Sequence, residues 1–301
     1  MAGDFTVLND EDLARDLDAE TAVAWSRDAI LAVHRGELLA PPRVHAELGD
    51  GRMAYTAGRL TGHWYGYRSY DTLPSTDGEQ IVAVHSEPSG RVAGIVVGKD
   101  LGRMRTGAIG GVAADALAAP DATTVGIVGA GPHAWMQLWA INAVRSLSSV
   151  KVHCRTQKTR EHFARNASER YGIEVSPAGS AEDAVLGADI VVLATNSGAP
   201  VVDSTAIGAG SYVTTLGPKQ VGRAEFDTAL AQRARLIATD SLPQLRAYDP
   251  PFVLRDTSEE PRIVSLGSVL AAEAPRQPGA LFCSVGLAGT EAYLAARLLG
   301  V

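Results

Sequence analysis

The spacing of apolar residues divides the first hundred positions into a helical part and a strand-rich part. Between residues 10 and 38, apolar side chains recur at intervals of three and four, which predicts a helix with Asp18 as its N-cap. Pro41 and Pro42 are predicted to end that helix. From residue 43 to about 98, short apolar runs alternate with Gly, Asp, Pro and Ser, which indicates an α+β domain built on an antiparallel sheet.

The pattern changes in the second part of the chain. Residues 104–118 predict an alanine-rich helix that ends before Pro120. Apolar strands and helical segments then alternate from 124 to about 240, which predicts a parallel sheet covered by helices on both faces. The segment 243–280 is less regular, and 286–300 predicts a final helix.

Composition and charge exclude several functional classes. The 301 residues carry a net charge of −7 and no block of Lys or Arg, so nucleic acid and anionic membranes are not expected partners. No apolar run approaches the ~18 residues of a membrane span, and the acidic start is unlike a secretory signal. Cys154 and Cys283 are too few for a disulfide framework and have no zinc-type spacing. We therefore expect a soluble cytoplasmic protein without a metal site.

The stretch 125-VGIVGAGPHA-134 predicts a dinucleotide-binding turn between a strand and a helix. Its first glycine permits a tight turn, its second lets the backbone approach a pyrophosphate, and the alanine in the third position keeps the helix close to the strand. The pyrophosphate would lie on the helix N-terminus, where free N–H groups point outward. The predicted cofactor-binding residues of the turn are Gly129, Gly131, Pro132 and His133.

The end of the next strand favours NADP(H) over NAD(H). In NAD enzymes an acidic residue near this point binds the ribose 2′-hydroxyl, but here the chain has Arg155, Thr156 and Lys158 instead. A guanidinium binds a 2′-phosphate well, whereas a carboxylate repels it. The alternative is that Arg155 and Lys158 form a solvated helix start and that NAD binds with little help.

Six motifs together resemble the ornithine cyclodeaminase/μ-crystallin family over nearly the whole chain. They are 42-PR-43, 105-RTGAIGGVAADALA-118, 127-IVGAGPHA-134, 187-GADIVVLATNSGAPVV-202, 217-GPKQVGRAEFD-227 and 284-SVGLAGTEAYLAA-296. The resemblance implies a nicotinamide cofactor and small α-amino or α-imino acid substrates. It also implies one of three activities: cyclodeaminase, amino-acid dehydrogenase, or ketimine or cyclic-imine reductase.

The resemblance and the apolar pattern predict an α/β protein of two domains. A Rossmann-type dinucleotide domain, residues 113–282, is inserted after an α+β domain for substrate binding and dimerisation, residues 1–112 and 283–301. The active site is expected in the cleft, outside the carboxyl ends of the parallel strands. A homodimer that pairs through the antiparallel sheet is expected from the family.

Five residues match positions with known roles in the family. By the resemblance, Arg43 and Arg105 hold the substrate carboxylate, which suits a planar guanidinium that donates two parallel hydrogen bonds. Thr106 is expected near the cofactor phosphates, and Thr195 and Asn196 on the nicotinamide side.

Two positions depart from the family pattern. In 66-GYR-68, Arg68 replaces the usual lysine, and in 217-GPK-219, Lys219 replaces the usual aspartate. A pocket with these cations beside Arg43 and Arg105 would repel the side-chain ammonium of ornithine and favour a second carboxylate or a neutral imine. Lys219 is the predicted proton donor, since a lysine crowded by cations has a depressed pKa, while Arg68 helps to hold the acid. His63 and Tyr67 are weaker candidates for the proton donor.

These residues predict an NADPH-dependent reductase that adds hydride to the C=N bond of a small α-imino acid or cyclic imine carboxylate. Two alternatives stay open. One is an ornithine cyclodeaminase with tightly bound NAD, which the family name favours and the missing Lys–Asp pair disfavours. The other is a non-catalytic ligand-binding protein, like the lens and hormone-binding relatives.

Overall fold

The computed structural model describes residues 5–74, 76, 78–272 and 278–301. The first elements are β1 (Thr6–Leu8), α1 (Asp10–Asp16), α2 (Ala19–His34), β2 (Leu38–Leu39), β3 (Val44–Glu47), β4 (Arg52–Leu60), β5 (Trp64–Asp71), β6 (Gln80–Ser86), β7 (Val92–Gly98) and α3 (Asp100–Leu117). The next are β8 (Thr124–Val128), α4 (Pro132–Val144), β9 (Ser149–His153), α5 (Gln157–Tyr171), β10 (Glu174–Pro177), α6 (Ala181–Val185), β11 (Ile190–Leu193) and β12 (Tyr212–Thr215). The last are β13 (Lys219–Gln220), β14 (Arg223–Ala224), α7 (Thr228–Arg233), β15 (Leu236–Thr239), α8 (Leu242–Arg246), β16 (Ile263–Ser265), α9 (Leu266–Ala271), β17 (Ala280–Cys283) and α10 (Thr290–Leu299). No helix in the described ranges is long and apolar enough to cross a lipid bilayer.

The chain divides into two compact units. The first contains residues 1–109 and 286–301, and the second contains residues 110–285. The sequence predicted that the chain crosses between its two domains near 113 and 282. The assignment of substrate binding to one unit and dinucleotide binding to the other stays a prediction.

The first unit is built on a seven-stranded sheet in the order β1-β7-β6-β5-β4-β2, with β3 also paired to β4. All pairs except β1–β7 are antiparallel. The final helix α10 packs on one face of this sheet, against β4, β5 and β6. Its start lies very close to β4, because a Cβ at Gly58 would come within 2.4 Å of the Cα of Gly289. These two glycines therefore fix where the first turn of α10 lies on the sheet.

The second unit is built on an eight-stranded sheet in which every pair is parallel. The strand order is β10-β9-β8-β11-β12-β17-β15-β16. The chain starts in the middle, at β8, and winds outward first in one direction and then in the other. The strand order therefore reverses between β8 and β11, which is where ligands bind in open α/β sheets. This architecture confirms the predicted α/β fold class with a Rossmann-type parallel sheet.

Two sequence-based predictions of secondary structure need correction. The helix predicted for residues 10–38 is two helices, and the second ends at His34 because the chain turns at Gly36, where φ is +75°. The predicted cap is confirmed, since the Asp18 side chain accepts a hydrogen bond of 2.8 Å from the Thr21 N–H. Among its described residues, the segment 243–280, predicted to be less regular, contains most of α8, a 3-10 turn at Glu260–Arg262, β16 and α9. Its last residue begins β17, an inner strand of the second sheet. All residues of β17 are buried, so the strand lacks the alternation of apolar and polar residues that would reveal it in the sequence.

Candidate active site

The glycine turn in the second unit has the geometry that a dinucleotide requires. At Gly129 φ is +112° and a Cβ would come within 2.2 Å of the Ala194 carbonyl oxygen, so only glycine fits. Gly131 is the N-cap of α4, and no heavy atom of the described residues lies within 4 Å of a Cβ built there. Ala134 is fully buried. The open backbone at Gly131 and the N-terminus of α4 can therefore receive a pyrophosphate.

A second open helix start follows β9. Thr156 is the N-cap of α5, and its side chain makes no capping hydrogen bond. Arg155, Thr156 and Lys158 are all exposed. Arg160 donates a hydrogen bond of 2.9 Å to the Cys154 carbonyl oxygen, which braces this turn from the helix side. The arrangement presents two cations and free N–H groups to solvent, which suits an anion.

A cavity of about 290 Å³ lies at the carboxyl ends of β11 and β12. It is lined by His133, Ala194, Thr195, Asn196, Leu216, Gly217, Pro218 and Arg223. The structure therefore brings three of the residues predicted to bind the cofactor, His133, Thr195 and Asn196, to one cavity of the second unit.

The walls of this cavity are held by Glu225, a residue for which the sequence predicted no role. Glu225 is fully buried, and its Oε2 accepts hydrogen bonds of 2.9 Å from both the backbone N–H and the hydroxyl of Thr195. Its Oε1 accepts from the N–H groups of Leu216 and Gly217. One carboxylate thus ties together two loops that come from neighbouring strands. A charged residue between the apolar residues of 224-AEF-226 was the available sequence signal.

Lys219 lies on β13 in the same unit and is 2% exposed. Its Nζ donates a hydrogen bond of 2.6 Å to the Gly217 carbonyl oxygen. Burial raises the pKa of the nearby Cys283 thiol to about 12; the charge of Lys219 lowers that pKa, while Asp240 and Glu225 raise it. Lys219 therefore shares its surroundings with two carboxylates, which the sequence-based picture of a purely cationic pocket did not include.

In the first unit, Arg43 and Arg105 approach the same glycine. Gly286 has φ of +90°, and a Cβ there would lie 3.1 Å from Arg43 Nη2 and 3.6 Å from Arg105 Nη1. Two guanidinium groups that converge in this way are an arrangement that suits an anion. The structure therefore brings together the two residues predicted to hold the substrate carboxylate.

Behind Arg105 lies Glu291, the second residue of α10, which is 1% exposed. Its Oε1 accepts hydrogen bonds from Arg105 Nη2 and from Arg68 Nη1, the latter at 2.5 Å. Burial by itself raises the pKa of Glu291, but the positive charges of Arg105 and Arg68 outweigh that effect and hold its pKa at about 2. Glu291 lies within one of the six family motifs, but its sequence context alone predicted no role for it. It is the one charged residue in 284-SVGLAGTEAYLAA-296, which was the available signal.

Arg68 is held on several sides by protein groups. Its Nε donates a hydrogen bond of 2.9 Å to Gln80 Oε1, and its Nη1 reaches Glu291. Its Cζ lies 4.1 Å from the centroid of the Tyr70 ring, a cation–π distance. Burial lowers the pKa of Arg68, and the Glu291 carboxylate opposes that shift.

The remaining candidates lie elsewhere in the first unit. Thr106 is one residue beyond Arg105 on α3, and its hydroxyl donates a hydrogen bond of 2.8 Å to the Gly102 carbonyl oxygen. Tyr67 is 43% exposed and points to the opposite face of the sheet from its neighbour Arg68. His63 is exposed in the turn between β4 and β5 and lines a separate cavity with Arg35 and other residues.

The chain is similar in sequence to proteins of one known family. The model of the ornithine cyclodeaminase/mu-crystallin family matches residues 11–299. An uncharacterised cyclodeaminase of Sinorhizobium fredii is 31% identical over 207 residues, and the match covers 66% of this chain and 61% of that protein. The chain thus spans about three fifths of the length of this curated relative.

Two solved structures match almost the whole chain. The Δ1-pyrroline-2-carboxylate reductase of Thermococcus litoralis, in complex with NADH and L-proline, has a TM-score of 0.88 and 25% identity. A probable ornithine cyclodeaminase from Bordetella pertussis has the same TM-score, 0.88, and 26% identity. Each match covers 98% of this chain and 96% of the other.

Proposed function

The chain belongs to the ornithine cyclodeaminase/mu-crystallin family, and we propose that it is an NADPH-dependent reductase of small imines that carry a carboxylate. The substrate class is an α-imino acid or a cyclic imine carboxylate, and the product is the corresponding amino acid. The Thermococcus litoralis relative, whose complex contains NADH and L-proline, supports this class.

The observation that carries the proposal is the approach of Arg43 and Arg105 to Gly286. A carboxylate bound between two guanidinium groups has its α-carbon fixed in position and orientation. Orientation is most of what a protein contributes to hydride transfer, because the cofactor supplies the chemistry.

Reduction of the C=N bond to an amine requires one hydride and one proton. A reduced nicotinamide, when bound, would supply the hydride with its two electrons to the imine carbon and would be oxidised in turn. The π electrons of the C=N bond move to nitrogen, which takes a proton, and we propose Lys219 as its donor. The N–H groups at Gly131 and the cavity near Thr195 and Asn196 would hold the dinucleotide.

We propose NADP(H) rather than NAD(H) as the cofactor. Arg155 and Lys158 are exposed beside the open N-terminus of α5, and no acidic residue occurs between Cys154 and Arg160. A 2′-phosphate would find two cations and no repelling carboxylate there. The hydroxyl of Thr156 adds a neutral donor at the same place.

The test is consumption of NADPH, with NADH in parallel, against Δ1-pyrroline-2-carboxylate, Δ1-piperideine-2-carboxylate, and pyruvate or oxaloacetate with ammonia or methylamine. We expect turnover with at least one of these imines. Arg105→Ala should raise the KM by two orders of magnitude or more. Arg103→Ala is the matched control, since Arg103 lies two residues away on α3 and pairs with Asp100 instead. Equal kinetics for both variants would contradict the carboxylate assignment.

A cyclodeaminase is the second candidate, because two of the relatives described above carry that name. It would release ammonia from ornithine without added cofactor. Lys219 disfavours it, because it replaces the usual aspartate, which would act as general base and pair with the side-chain ammonium of the substrate. Ammonia release together with a silent imine panel would establish this function and exclude the reductase.

We also propose a homodimer through the sheet of the first unit. On the face opposite α10, the exposed apolar side chains include Tyr55, Tyr65, Tyr67 and Ile81, each between 37% and 43% exposed. Such a patch is typical of a protein–protein interface. In sedimentation velocity, Tyr67→Asp should produce monomers. Leu186→Asp, at a residue 67% exposed in the second unit, should leave the dimer intact.

A further inference from the structure

The replacement of the family lysine by Arg68 has a structural consequence beyond charge. The guanidinium of Arg68 is anchored at two of its nitrogens, by Gln80 Oε1 and Glu291 Oε1, and its Cζ lies over the Tyr70 ring. The third nitrogen faces Gly102, because a Cβ there would lie 2.8 Å from Arg68 Nη2. Two of the three guanidinium nitrogens are therefore hydrogen-bonded to protein groups, and the third lies beside the Gly102 backbone.

Arg105 is in a different situation. Its Nη2 donates to Glu291, and its Nη1 points towards Gly286 beside Arg43. Its Nε is buried and has no hydrogen-bond partner among the described residues. Arg105 thus has donors available for an anion, and the contact that orients these donors is its bond to Glu291.

Glu291 connects the two arginines through one oxygen. A planar guanidinium held at one nitrogen by a fixed carboxylate has a defined plane, so its other nitrogens point in defined directions. Arg68 donates to the same carboxylate oxygen and so helps to fix it. A lysine at position 68 carries the same charge but has no rigid fork, so it cannot hold Gln80 and Glu291 in this geometry.

We propose that Arg68 is a positioning residue: together with Gln80 and Tyr70 it fixes Glu291, which orients Arg105 for the substrate carboxylate. This inference rests on the proposed function in that it takes Arg105 as the carboxylate ligand. It replaces the direct contact between Arg68 and substrate that the sequence suggests. The chain Arg68–Glu291–Arg105 lies entirely within the first unit.

Different roles for Glu291 and Arg68 predict different changes in the affinity for an anion. If Glu291 only lowers the positive charge of the site, Glu291→Gln should tighten the binding of an anion. If Glu291 positions Arg105, the same change should weaken it. If Arg68 touches the substrate directly, Arg68→Lys keeps a cation there and should largely preserve carboxylate binding.

The experiment measures binding by calorimetry in the presence of NADPH, with pyrrole-2-carboxylate and its uncharged carboxamide as probes. The variants are Arg68→Lys, Glu291→Gln and Glu291→Asp. The control is Asp115→Asn, which breaks a partly buried pair with Arg145 in the second unit. The readout is the ratio of carboxylate to carboxamide affinity, which a general loss of stability does not change. Circular dichroism and the Tm establish that each variant is folded.

We expect the ratio to fall at least tenfold in all three variants and to stay within threefold of wild type in Asp115→Asn. Glu291→Asp is informative if Glu291→Gln does not fold, because it keeps the charge but shortens the reach. An unchanged ratio in Arg68→Lys, or a higher ratio in Glu291→Gln, would overturn the proposal.

The experiment distinguishes failure of the proposed reductase activity from failure of the positioning role. If the wild-type protein reduces no imine but prefers the carboxylate probe, and the variants lose that preference, the reductase is wrong and the positioning role stands. If the wild-type protein turns over imines and the variants keep the preference, the positioning role alone is wrong. If the wild-type protein shows no preference for the carboxylate, both are wrong.

Discussion

Arg105 donates a hydrogen bond to the carboxylate of Glu291, a residue 186 positions further along the chain. Arg105 belongs to α3 and Glu291 to the first turn of α10, so the contact depends on how these two helices lie on the first unit. A carboxylate in the first turn is also favoured by the helix dipole. Arg105 is thus held by the carboxylate of a buried acidic residue.

The low pKa of Glu291 makes stability depend on pH in the acid range. A carboxyl whose folded-state pKa is about 2, against an ordinary value of 4.5, stabilises the fold above pH 4.5, and this contribution is lost as the pH falls towards 2. The shift corresponds to roughly 3 kcal/mol. In urea unfolding from pH 7 to pH 2, the free energy of unfolding should fall more steeply for wild type than for Glu291→Gln. If the two proteins lost stability in parallel between pH 5 and pH 2, the low pKa of Glu291 would be contradicted.

Gly286→Ala should damage both stability and substrate binding. A residue with a side chain at φ of +90° is strained, and the new Cβ would lie 3.1 Å from Arg43 Nη2. We expect a loss of about 1–3 kcal/mol in the free energy of unfolding, with a higher KM for the imine carboxylate. Gly36→Ala is the control: Gly36 has φ of +75°, but apart from its chain neighbours no heavy atom of the described residues lies within 4 Å of a Cβ built there. It should lose stability without a change in KM.

Glu225→Gln should loosen the cavity of the second unit. The carboxylate accepts four hydrogen bonds, and an amide in its place has one oxygen and an NH₂ group that faces N–H or O–H donors. Each donor left without an acceptor costs about 1–3 kcal/mol. We expect a lower Tm and at least tenfold weaker dinucleotide binding. Glu259→Gln, at a buried carboxylate of the same unit paired with Arg262, should lower the Tm but leave dinucleotide affinity unchanged.

Arg155→Asp should reverse the proposed cofactor preference. The substitution replaces an exposed cation by the carboxylate that suits a ribose 2′-hydroxyl and repels a 2′-phosphate. Fluorescence titration should show NADPH affinity at least tenfold weaker and NADH affinity equal or stronger. Arg165→Asp, on an exposed position further along α5, should change neither. A wild-type protein that already prefers NADH would make the proposal of NADP wrong.

Short-range sequence patterns predicted most of the fold. The alternation of strands and helices from 124 to about 240 predicted the parallel sheet, and the glycine spacing at 129 and 131 predicted the open helix start. These predictions succeed because they depend on neighbours within a few positions, where backbone conformation and side-chain periodicity are set. β17 escaped prediction because an inner strand is apolar on both faces, so no alternation distinguishes it.

Residue types and motif positions determined which side chains to consider, but not what each one contacts. The sequence identified Arg43, Arg68 and Arg105 as cations of one site, and it predicted that all three hold the substrate. Only the tertiary structure decided that Glu291 lies between Arg68 and Arg105, because 223 and 186 positions separate it from them. The register of β5 and the close approach of Gly58 to Gly289 bring these charges together. A buried charge is stable only beside its partner, so folding selects this pairing, whereas local sequence does not encode it.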